Sequence, residues 1–594
     1  MKYFCNPLNI EYKYQFHPKE NGMFANREAA DPSLVKFKEM YYLFPSMTAG
    51  FLTSTNMADW EFHPFQQEMP IYDYAPDVRV IGEYLYFSAS KRNENCSFYR
   101  TTDPIHGSFE KIEGTFPFWD PHLFLDDDGR IYFYWGCSNV TPIYGVEVEM
   151  DTMKPLGEKI ELIGGRDTEI GYERTGDDHV PPKSQEKIEA IVQQMLQMNP
   201  NIPEERIPVL YAYMGNAPYI EGPWMTKHQG KYYLQYASPG AEYNTYLDGV
   251  YIGETPLGPF TLAKNNPYSY KPGGFITGAG HGSTVDVEKE RMWYTSTMRI
   301  SINHPFERRI GLWMAGFDES GDLYCDQRYG DWPINVEGKP WEKPEWMLLS
   351  YKKEVKASSG EGMAHVTDED IRTWWEAGSN KPDEWIQVDL GKSYCVCGMQ
   401  INFADYGLKA ELPNGAGLKG EEGMERYIDE RIHYTRWLLE GSQDGEHFYT
   451  IEDKTEADTD FSHDFIVRED GIQVRYLRLT VKEIPFGQVP KVSGLRVFGI
   501  ANGPLPTPAA KVQVCKHGEL DMVVSWEEDL AAGHNILWGY APEKLYHSYM
   551  VFGKNSQKIG ALIKDEEVYV RVDAFNETGI IEGKIIKVKD ISEN

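Results

Sequence analysis

The sequence predicts an all-β protein, in which a five-bladed β-propeller is followed by two β-sandwich domains. Three observations lead to this prediction. Five segments in the first 350 residues repeat one pattern, in which an apolar strand, a short turn and a second strand rich in Tyr or Trp follow one another. A composition change near residue 350 begins a second region of short strands. A Pro-rich stretch then separates a third such region.

The five repeated segments suit the blades of a propeller, since blades of about four strands recur four to eight times in such folds. These segments are 33–46, 78–90, 122–136, 224–238 and 283–297, with second strands that begin near Tyr41, Tyr84, Ile131, Tyr232 and Met292. The widest gap contains the stretch 181–207, whose apolar residues recur with a helical period. We therefore expect a helical insertion near 181–207 between two blades.

The remaining boundaries follow from composition. We expect the propeller to occupy residues 1–350 and a β-sandwich of many short strands to occupy 351–500. The stretch 501–510 reads as a Pro-rich linker, and 511–594 has the size and strand rhythm of a small immunoglobulin-like sandwich.

Charge and cysteine usage exclude several function classes. The 594 residues carry a formal net charge of -32, which argues against nucleic acid or an anionic membrane as a partner. No apolar run approaches the roughly 20 residues of a membrane helix. The N-terminal residues show no apolar signal core, and the seven cysteines are thinly scattered. We expect reduced thiols and a cytoplasmic protein.

The stretch "FWDPHLFLDDDGRIYFYWG" at 118–136 holds four Asp residues. Asp126, Asp127 and Asp128 precede Gly129 between two apolar runs, which is a hairpin signal. We expect these three carboxylates on a solvated turn. Asp120 stands before the first strand and is the candidate for chemistry.

An ionisable residue also stands just ahead of each of the other hairpins. Counted to the start of the second strand, Asp31 lies ten residues ahead and Asp77 seven, while Asp120, Glu221 and His281 each lie eleven ahead. Because inner strands surround the axis of a propeller, these side chains are expected to converge at one end of that axis. The alternative is structural, since Asp commonly opens turns and caps loops.

Carboxylates that converge in a funnel suit the hydrolysis of glycosidic bonds. One carboxylic acid protonates the leaving oxygen, while a second carboxylate activates water. A third carboxylate nearby raises the pKa of the acid by repulsion between like charges.

Five short motifs, in order along the chain, resemble those of glycoside hydrolase family 43: "REAADPSLV", "YAPDV", "FWDPHLFLDDDG", "YIEGPWM" and "GAGHGSTV". The resemblance covers roughly residues 1–340. It implies a five-bladed propeller that hydrolyses glycosidic bonds with inversion. It further implies that Asp31 is the general base and Glu221 the general acid, with Asp120 tuning the pKa of the acid and orienting it.

The same resemblance implies further site residues. His281 resembles a histidine that faces a bound calcium or water in the channel, so a structural calcium near His281 is expected, although the chemistry itself requires no cofactor. Asp77 matches a motif near the sugar pocket. Arg308 or Arg309 would contact the sugar, and strand alternation lets only one of them face inward. Trp119 and Trp224 flank the acidic residues and are candidates for stacking on sugars, with core packing as the alternative.

Two features depart from the family pattern. An insertion delays Asp31 relative to the start of the chain, which affects the outer rim of the pocket. The helical insertion would cover the active-site face, form a contact in a homo-oligomer, or be a surface elaboration.

The second domain resembles the discoidin, or factor 5/8 type C, sandwich, which often binds carbohydrate. The matching stretches include "TWWEAG", "WIQVDLG" and "RYLRLTV", and Trp374 and Trp375 read as core. The last domain resembles a fibronectin type III module.

The leading hypothesis is an inverting, exo-acting glycosidase for small plant-type oligosaccharides. The resemblance implies activity of the α-L-arabinofuranosidase, β-xylosidase or galactosidase type. The alternatives are a non-catalytic carbohydrate-binding propeller and a glycoside phosphorylase, and Asp31 argues against the latter because a phosphorylase needs a phosphate pocket in place of a base.

Overall fold

The computed structural model describes residues 2–19, 22–72, 75–91, 94–176, 180–288, 291–420 and 425–589, and every structural statement below concerns these residues. Five antiparallel sheets follow one another along the chain and form the blades of a propeller. The first strands of neighbouring blades contact each other around the central axis. The predicted all-β fold with five blades is confirmed.

Within each blade four strands pair in chain order, from the axis outward. The strands are Ala30–Phe37, Met40–Ser46, Gly50–Ser54 and Glu61–Pro64 in blade 1; Asp77–Ile81, Tyr84–Ser88, Phe98–Thr101 and Glu110–Ile112 in blade 2; His122–Leu125, Ile131–Trp135, Ile143–Val148 and Ile160–Ile163 in blade 3; Ile220–His228, Lys231–Ser238, Leu247–Gly253 and Phe260–Leu262 in blade 4; and Thr277–Glu288, Arg291–Arg299, Arg308–Phe317 and Leu323–Cys325 in blade 5. A short strand, Cys137–Ser138, adds to the inner edge of blade 4.

One residue near the start of each first strand ties its blade to the next. Ser33 Oγ accepts a hydrogen bond from Val78 N at 3.0 Å, and Ser283 Oγ accepts one from Leu34 N at 3.0 Å. The other three boundaries are made by Asp77 Oδ2 with Leu123 N (2.8 Å), by His122 Nε2 with Met225 N (2.9 Å) and by Trp224 Nε1 with Thr284 O (3.0 Å). We call these five contacts the blade ring. They satisfy buried backbone groups at every boundary, including the one that closes blade 5 onto blade 1.

The hairpin at 126–129 forms as expected, with Gly129 at φ 84° and its N–H bonded to Asp126 O at 3.0 Å. The expectation that all three of its carboxylates are solvated is wrong for Asp126. Its side chain is buried and accepts hydrogen bonds from Tyr232 OH at 2.6 Å and Lys227 Nζ at 2.5 Å, so it links blade 3 to blade 4.

The segment between blades 3 and 4 contains two α-helices, Gln185–Met198 and Ile207–Met214, and two 3₁₀ turns, Gly171–Glu173 and Glu204–Arg206. Ser184 caps the first helix by accepting a hydrogen bond from Lys187 N, and Ile188 and Val192 are buried on one face. The second helix reaches the inner edge of blade 4, because Asn139 Nδ2 donates to Ala212 O and Tyr213 O.

The second domain is one curled sheet around an apolar core. Its elements are Met347–Leu348, Glu354–Ala357, the 3₁₀ turn Met363–Thr367, Trp375–Glu376, Glu384–Phe403, Arg436–Ser442, Phe448–Asp453, His463–Glu483, the 3₁₀ turn Pro485–Gly487 and Lys491–Ile500. Trp375 is fully buried, as expected. Trp374 is only half-buried and lies 4.7 Å from the ring of Tyr406, so it is not a core residue.

The last domain packs two sheets face to face around Trp526 and Trp538. One sheet contains Gln513–Lys516, Met522–Ser525 and Ser556–Ile559; the other contains Gly533–Gly539, His547–Phe552, Tyr569–Asn576, Gly579–Ile581 and Ile586–Lys587. Its core is continuous with that of blades 3 and 4. Among the described residues, no helix is both long and apolar enough to cross a membrane.

The residues that precede blade 1 pair with distant parts of the chain. Tyr3–Phe4 pairs with Ile334–Asn335. The strands Lys13–Lys19 and Gly22–Glu28 form a hairpin, and Tyr427–Ile428 of the second domain adds a third strand to it. The insertion ahead of Asp31 is therefore an ordered sheet shared by two domains.

A buried ion-pair cluster fixes this hairpin to the second domain. The guanidinium of Arg27 lies 2.8 Å from Asp405 Oδ2 and 2.8 Å from Asp460 Oδ2, and all three side chains are at most 8% exposed. Removing one partner from such a cluster strongly destabilises the folded state, because the remaining charges stay buried without compensation.

Replacing Arg27 with Met is expected to lower the free energy of unfolding by about 3–5 kcal/mol, since two buried carboxylates lose their partner. Thermal and urea denaturation of the full chain would measure the loss. Lys2→Met is the control, because the Lys2–Glu337 pair is 54% and 63% exposed and its removal should leave stability nearly unchanged. Similar melting temperatures for the two variants would contradict the prediction.

Candidate active site

One end of the propeller axis is lined by residues in the left-handed backbone conformation. They stand two positions before the blade-ring residues and are Asp31 (φ 46°), Ala75 (φ 58°), Asp120 (φ 50°), Gly222 (φ 57°) and His281 (φ 51°). Non-glycine residues in this conformation cost free energy and cluster at functional sites. The shared conformation shows that Asp31, Asp120 and His281 occupy equivalent positions, one per blade.

The shared backbone conformation also corrects which residues of blades 2 and 4 we expected to face the axis. Ala75, not Asp77, is the equivalent residue of blade 2. In blade 4 the equivalent residue is Gly222, and Glu221 stands one position earlier. Glycine is required there because a Cβ at residue 222 would lie 2.7 Å from the His281 ring.

Asp31 is buried in a set of donors from blades 1 and 5. Its Oδ1 accepts a hydrogen bond from Arg308 Nη1 at 3.0 Å, and its Oδ2 accepts one from Ser46 Oγ at 3.0 Å. Its backbone N–H donates to Thr297 Oγ1 at 2.8 Å. Arg308 also bonds Glu28 Oε1 at 2.6 Å, so the guanidinium holds two carboxylates. These contacts hold the Asp31 carboxyl group in a fixed position.

His281 lies between two of the acidic residues. Its Nδ1 is 3.6 Å from Asp31 Oδ1 and 3.7 Å from Asp120 Oδ2. Burial opposes protonation of the imidazole, but the carboxylates of Asp120, Asp31, Glu221 and Asp248 outweigh it and raise the pKa of His281 above its usual value. Asp248 also fixes the backbone here, since its Oδ1 accepts from His281 N at 2.7 Å.

Asp120 is buried close to both other carboxylates. Its Oδ2 accepts a hydrogen bond from Gly222 N at 3.3 Å, and its own N–H donates to Ser90 Oγ at 2.9 Å. Burial is the largest cause that raises the pKa of Asp120 to about 7, opposed by His281 and reinforced by Glu221 and Asp31. The pKa of Asp120 therefore lies close to neutral pH, where both its protonated and its ionised form are present.

Glu221 is held by two donors that the sequence did not reveal. Tyr246 OH donates a short hydrogen bond to Oε1, and Cys137 Sγ donates to Oε2 at 3.1 Å. Burial raises the pKa of the Cys137 thiol well above its usual value, so it stays a neutral donor. No sequence signal identified Cys137 or Tyr246, because both reach Glu221 only after blades 3 and 4 have packed together.

The predicted binding residues divide into two groups. Arg308 lies at the cluster, whereas Arg309 points away and donates to His463 Nε2 of the second domain at 2.9 Å. Asp77 and Trp224 are blade-ring residues, buried, and are not brought to the cluster. The half-buried Trp119 directly precedes Asp120, and its contact with sugar stays a prediction.

Three side chains that could bind a metal ion lie close together at this end of the propeller axis. One ligand atom each from Asp120, Cys137 and Glu221 lies within 4.8 Å of the others, and the thiol donates its proton within this group. The calcium expected near His281 stays a prediction. The imidazole nitrogen of His281 lies between the carboxyl groups of Asp31 and Asp120, whereas calcium prefers six to eight oxygen ligands.

The arrangement can do acid–base chemistry on a bond placed between its two sides. Asp31 is paired with a guanidinium and suits a base, while Glu221 lies beside Asp120. A pair of carboxyl groups with different environments is the arrangement that glycoside hydrolysis requires.

Comparison with known proteins identifies the family of the chain. The family described as Glycosyl hydrolases family 43 matches residues 24–176 and 178–321, which together make up half of the chain. A curated β-xylosidase from Xylanibacter ruminicola is 26% identical over 172 residues, which cover 28% of this chain and 43% of that protein. The chain thus matches less than half the length of this relative.

Solved structures with similar folds include two from Bacteroides. The Bacteroides ovatus xyloglucan PUL GH43B is 12% identical, with a TM-score of 0.41, and the match covers 84% of this chain and 98% of that one. An endo-1,4-beta-xylanase from Bacteroides thetaiotaomicron is 20% identical, with a TM-score of 0.38, covering 50% of this chain and 94% of that one.

The raised pKa of Asp120 predicts how the free energy of unfolding depends on pH. The folded protein binds a proton at Asp120 up to about pH 7, whereas an unfolded Asp loses it near pH 3.9. The free energy of unfolding should therefore fall between these values as pH rises. Asp120→Asn removes this loss, so the variant should be more stable than the parent by on the order of 1–4 kcal/mol at pH 7.5, with a smaller gain at pH 4.5.

Melting temperatures across this pH range would test the prediction without any substrate. Asp128→Asn is the matched control, because Asp128 lies on the exposed turn and should show no such gain. A stability difference between Asp120→Asn and the parent that stays constant from pH 4.5 to 7.5 would contradict it.

Proposed function

The chain belongs to glycosyl hydrolases family 43 and is a glycosidase, and from this premise we propose that it is an inverting, exo-acting enzyme on small oligosaccharides. Asp31 acts as the general base that activates water, and Glu221 acts as the general acid that protonates the leaving oxygen. Asp120 modulates the acid electrostatically and orients the backbone at Gly222.

One observation carries these assignments: the two carboxylates have different hydrogen-bond partners. The Asp31 carboxylate accepts hydrogen bonds from a guanidinium and a hydroxyl, which hold it in place as a hydrogen-bond acceptor. Glu221 accepts hydrogen bonds from two uncharged donors, the hydroxyl of Tyr246 and the thiol of Cys137. These different partners support our assignment of proton acceptance to Asp31 and proton donation to Glu221. The proposed steps use only these groups and water.

We propose a β-xylosidase type of substrate first, since the matching curated relative is named a β-xylosidase. Substrates of the α-L-arabinofuranosidase and galactosidase types are the next to test. We further propose that the second domain is a discoidin-like sandwich that binds carbohydrate, that the last domain is of the fibronectin type III kind, and that the protein works in the cytoplasm.

Turnover should be seen with at least one nitrophenyl xyloside, arabinofuranoside or galactoside. Proton NMR of the first sugar released should show the anomer opposite to that of the substrate, since water attacks directly. Sugar binding without turnover on any of these would support the alternative, a non-catalytic carbohydrate-binding propeller. Release of the same anomer would replace inversion with a covalent intermediate.

Glu221→Gln should lose about 10²–10⁴-fold in kcat on an unactivated disaccharide, which is the usual contribution of general acid catalysis. It should lose much less on an aryl glycoside with a good leaving group, because little protonation is then needed. Steady-state kinetics on both substrates would measure the difference.

Asp126→Asn is a control for loss of a buried carboxylate elsewhere in the propeller. It should affect both substrates equally. Equal losses on the two substrates in Glu221→Gln would remove Glu221 from the acid role.

A further inference from the structure

A cavity lies on the propeller axis, on the side of the blade ring that faces away from the catalytic residues. Its volume is about 1060 Å³, and residues from all five blades line it. Because the blade ring holds the first strands at one height, the residues two positions after each ring residue share one level of the cavity. They are Val35, Arg79, Phe124, Thr226 and Val285, and Arg79 is the charged one.

The guanidinium of Arg79 has no hydrogen bond and no ion pair in the part of the chain that the structure describes. Its Cζ atom lies 4.5 Å from the ring centroid of Trp224, so an aromatic ring covers one of its faces. The carboxylate of Asp77 is engaged elsewhere, since it lies 3.1 Å from His122 Nδ1 and accepts from Leu123 N. Burial lowers the pKa of Arg79 below its usual value, although Asp77 opposes this shift. Arg79 therefore presents N–H donors to the cavity without acceptors from the protein.

The acidic side chains that line the cavity are solvated or already paired. Asp127, Asp286 and Glu319 are exposed, and the half-buried Asp318 lies 2.8 Å from Lys544 Nζ. One guanidinium balances one negative charge, and a second negative charge on a ligand would meet these carboxylates without a cation to compensate it. The ligand that suits this cavity is therefore a singly charged anion.

The polarity and size of the cavity favour an anion with a polar body. The planar fork of an arginine matches the two oxygens of a carboxylate. On blade 4, the hydroxyl of Thr226 lies at the level of Arg79 and has no hydrogen bond among the described residues, and the exposed amide of Gln229 follows the same strand. The cavity is much larger than one carboxylate group, so it has room for a body that carries hydroxyl groups.

From these observations we propose that the cavity is a binding site for a sugar acid, a single sugar unit that carries one carboxylate. The carboxylate pairs with the guanidinium of Arg79, and the hydroxyl groups of the sugar bond to Thr226 and Gln229. The site lies across the blade ring from the catalytic carboxylates, and among the described residues no hydrogen bond joins the two sets. It is therefore separate from the site of hydrolysis and goes beyond the proposed function.

Isothermal titration calorimetry of the full chain tests the proposal with two matched probes. Glucuronate carries the carboxylate, whereas glucose has the same ring with a hydroxymethyl group in that place. Glucuronate should bind about 10–100-fold more tightly than glucose, which is the effect of hydrogen bonding to a charged group. Equal affinities for the two probes would overturn the proposal, since Arg79 would then contribute nothing to recognition.

Three variants locate the site. Arg79→Met removes the charge and should weaken glucuronate binding by about 10–100-fold. Arg100→Met is the matched control and should bind glucuronate as the parent does, because this guanidinium also lies over a ring of blade 2, 4.9 Å from that of Tyr84, but is paired with Glu110 on the outer strand. Thr226→Val keeps the shape of the side chain and should weaken binding by about two- to tenfold. It keeps the test valid if Arg79→Met lowers the melting temperature.

Inorganic phosphate distinguishes a site for sugar acids from a site for any small anion. It should bind more weakly than glucuronate, because it brings more negative charge and no sugar hydroxyl groups. Phosphate that binds as tightly as glucuronate and competes with it would overturn the recognition of a sugar acid. An unchanged affinity for glucuronate in both Arg79→Met and Thr226→Val would overturn the site itself. Hydrolysis of the nitrophenyl glycosides is measured separately, so failure of the proposed function is distinguishable from failure of this site.

Discussion

The blade ring is the constraint on which the rest of the propeller depends. At each boundary one side chain near the start of a first strand binds the backbone of the neighbouring strand, from Ser33 through Asp77, His122 and Trp224 to Ser283. Burial lowers the pKa of His122 to about 4, so its ring stays neutral and can accept from the next blade while its other nitrogen meets Asp77. Because the five first strands are fixed at this level, the residues two positions earlier are brought to one point on the axis, and three of them carry ionisable side chains.

Bringing several acidic side chains together requires charge compensation, and the structure supplies it unevenly. Arg308 compensates Asp31 and Glu28, while Asp120 meets the shared imidazole of His281, the uncharged thiol of Cys137 and a long backbone contact. The raised pKa of Asp120 is the electrostatic consequence. Uneven compensation is useful for catalysis, since it lets one carboxyl group stay ionised while a neighbouring one holds a proton.

The fold and part of the site could be predicted from the sequence. The hairpin repeats gave the blades, and the residues ahead of them identified Asp31, Asp120, Glu221 and His281. Counting residues back from the start of the second strand placed Asp77 at the axis, which is wrong. Such a count does not distinguish a side chain that faces the axis from one two positions later, which lies at a blade boundary. The supports of Glu221 were missed for a different reason: Cys137 and Tyr246 are ordinary residues in sequence, and only the pairing of Cys137–Ser138 with blade 4 brings the thiol to the carboxylate.

The shape of the rim depends on contacts that are distant in sequence. Arg27 lies in the insertion ahead of Asp31, and its partners Asp405 and Asp460 lie in the second domain. The side of the pocket next to Asp31 is therefore built jointly by two domains, whereas the side next to Glu221 borders the helical insertion through Asn139. A change in either supporting element can alter which sugars reach the axis without touching the carboxylates. The carboxylates themselves are held by contacts within the propeller, so the rim and the catalytic residues are supported by different parts of the chain.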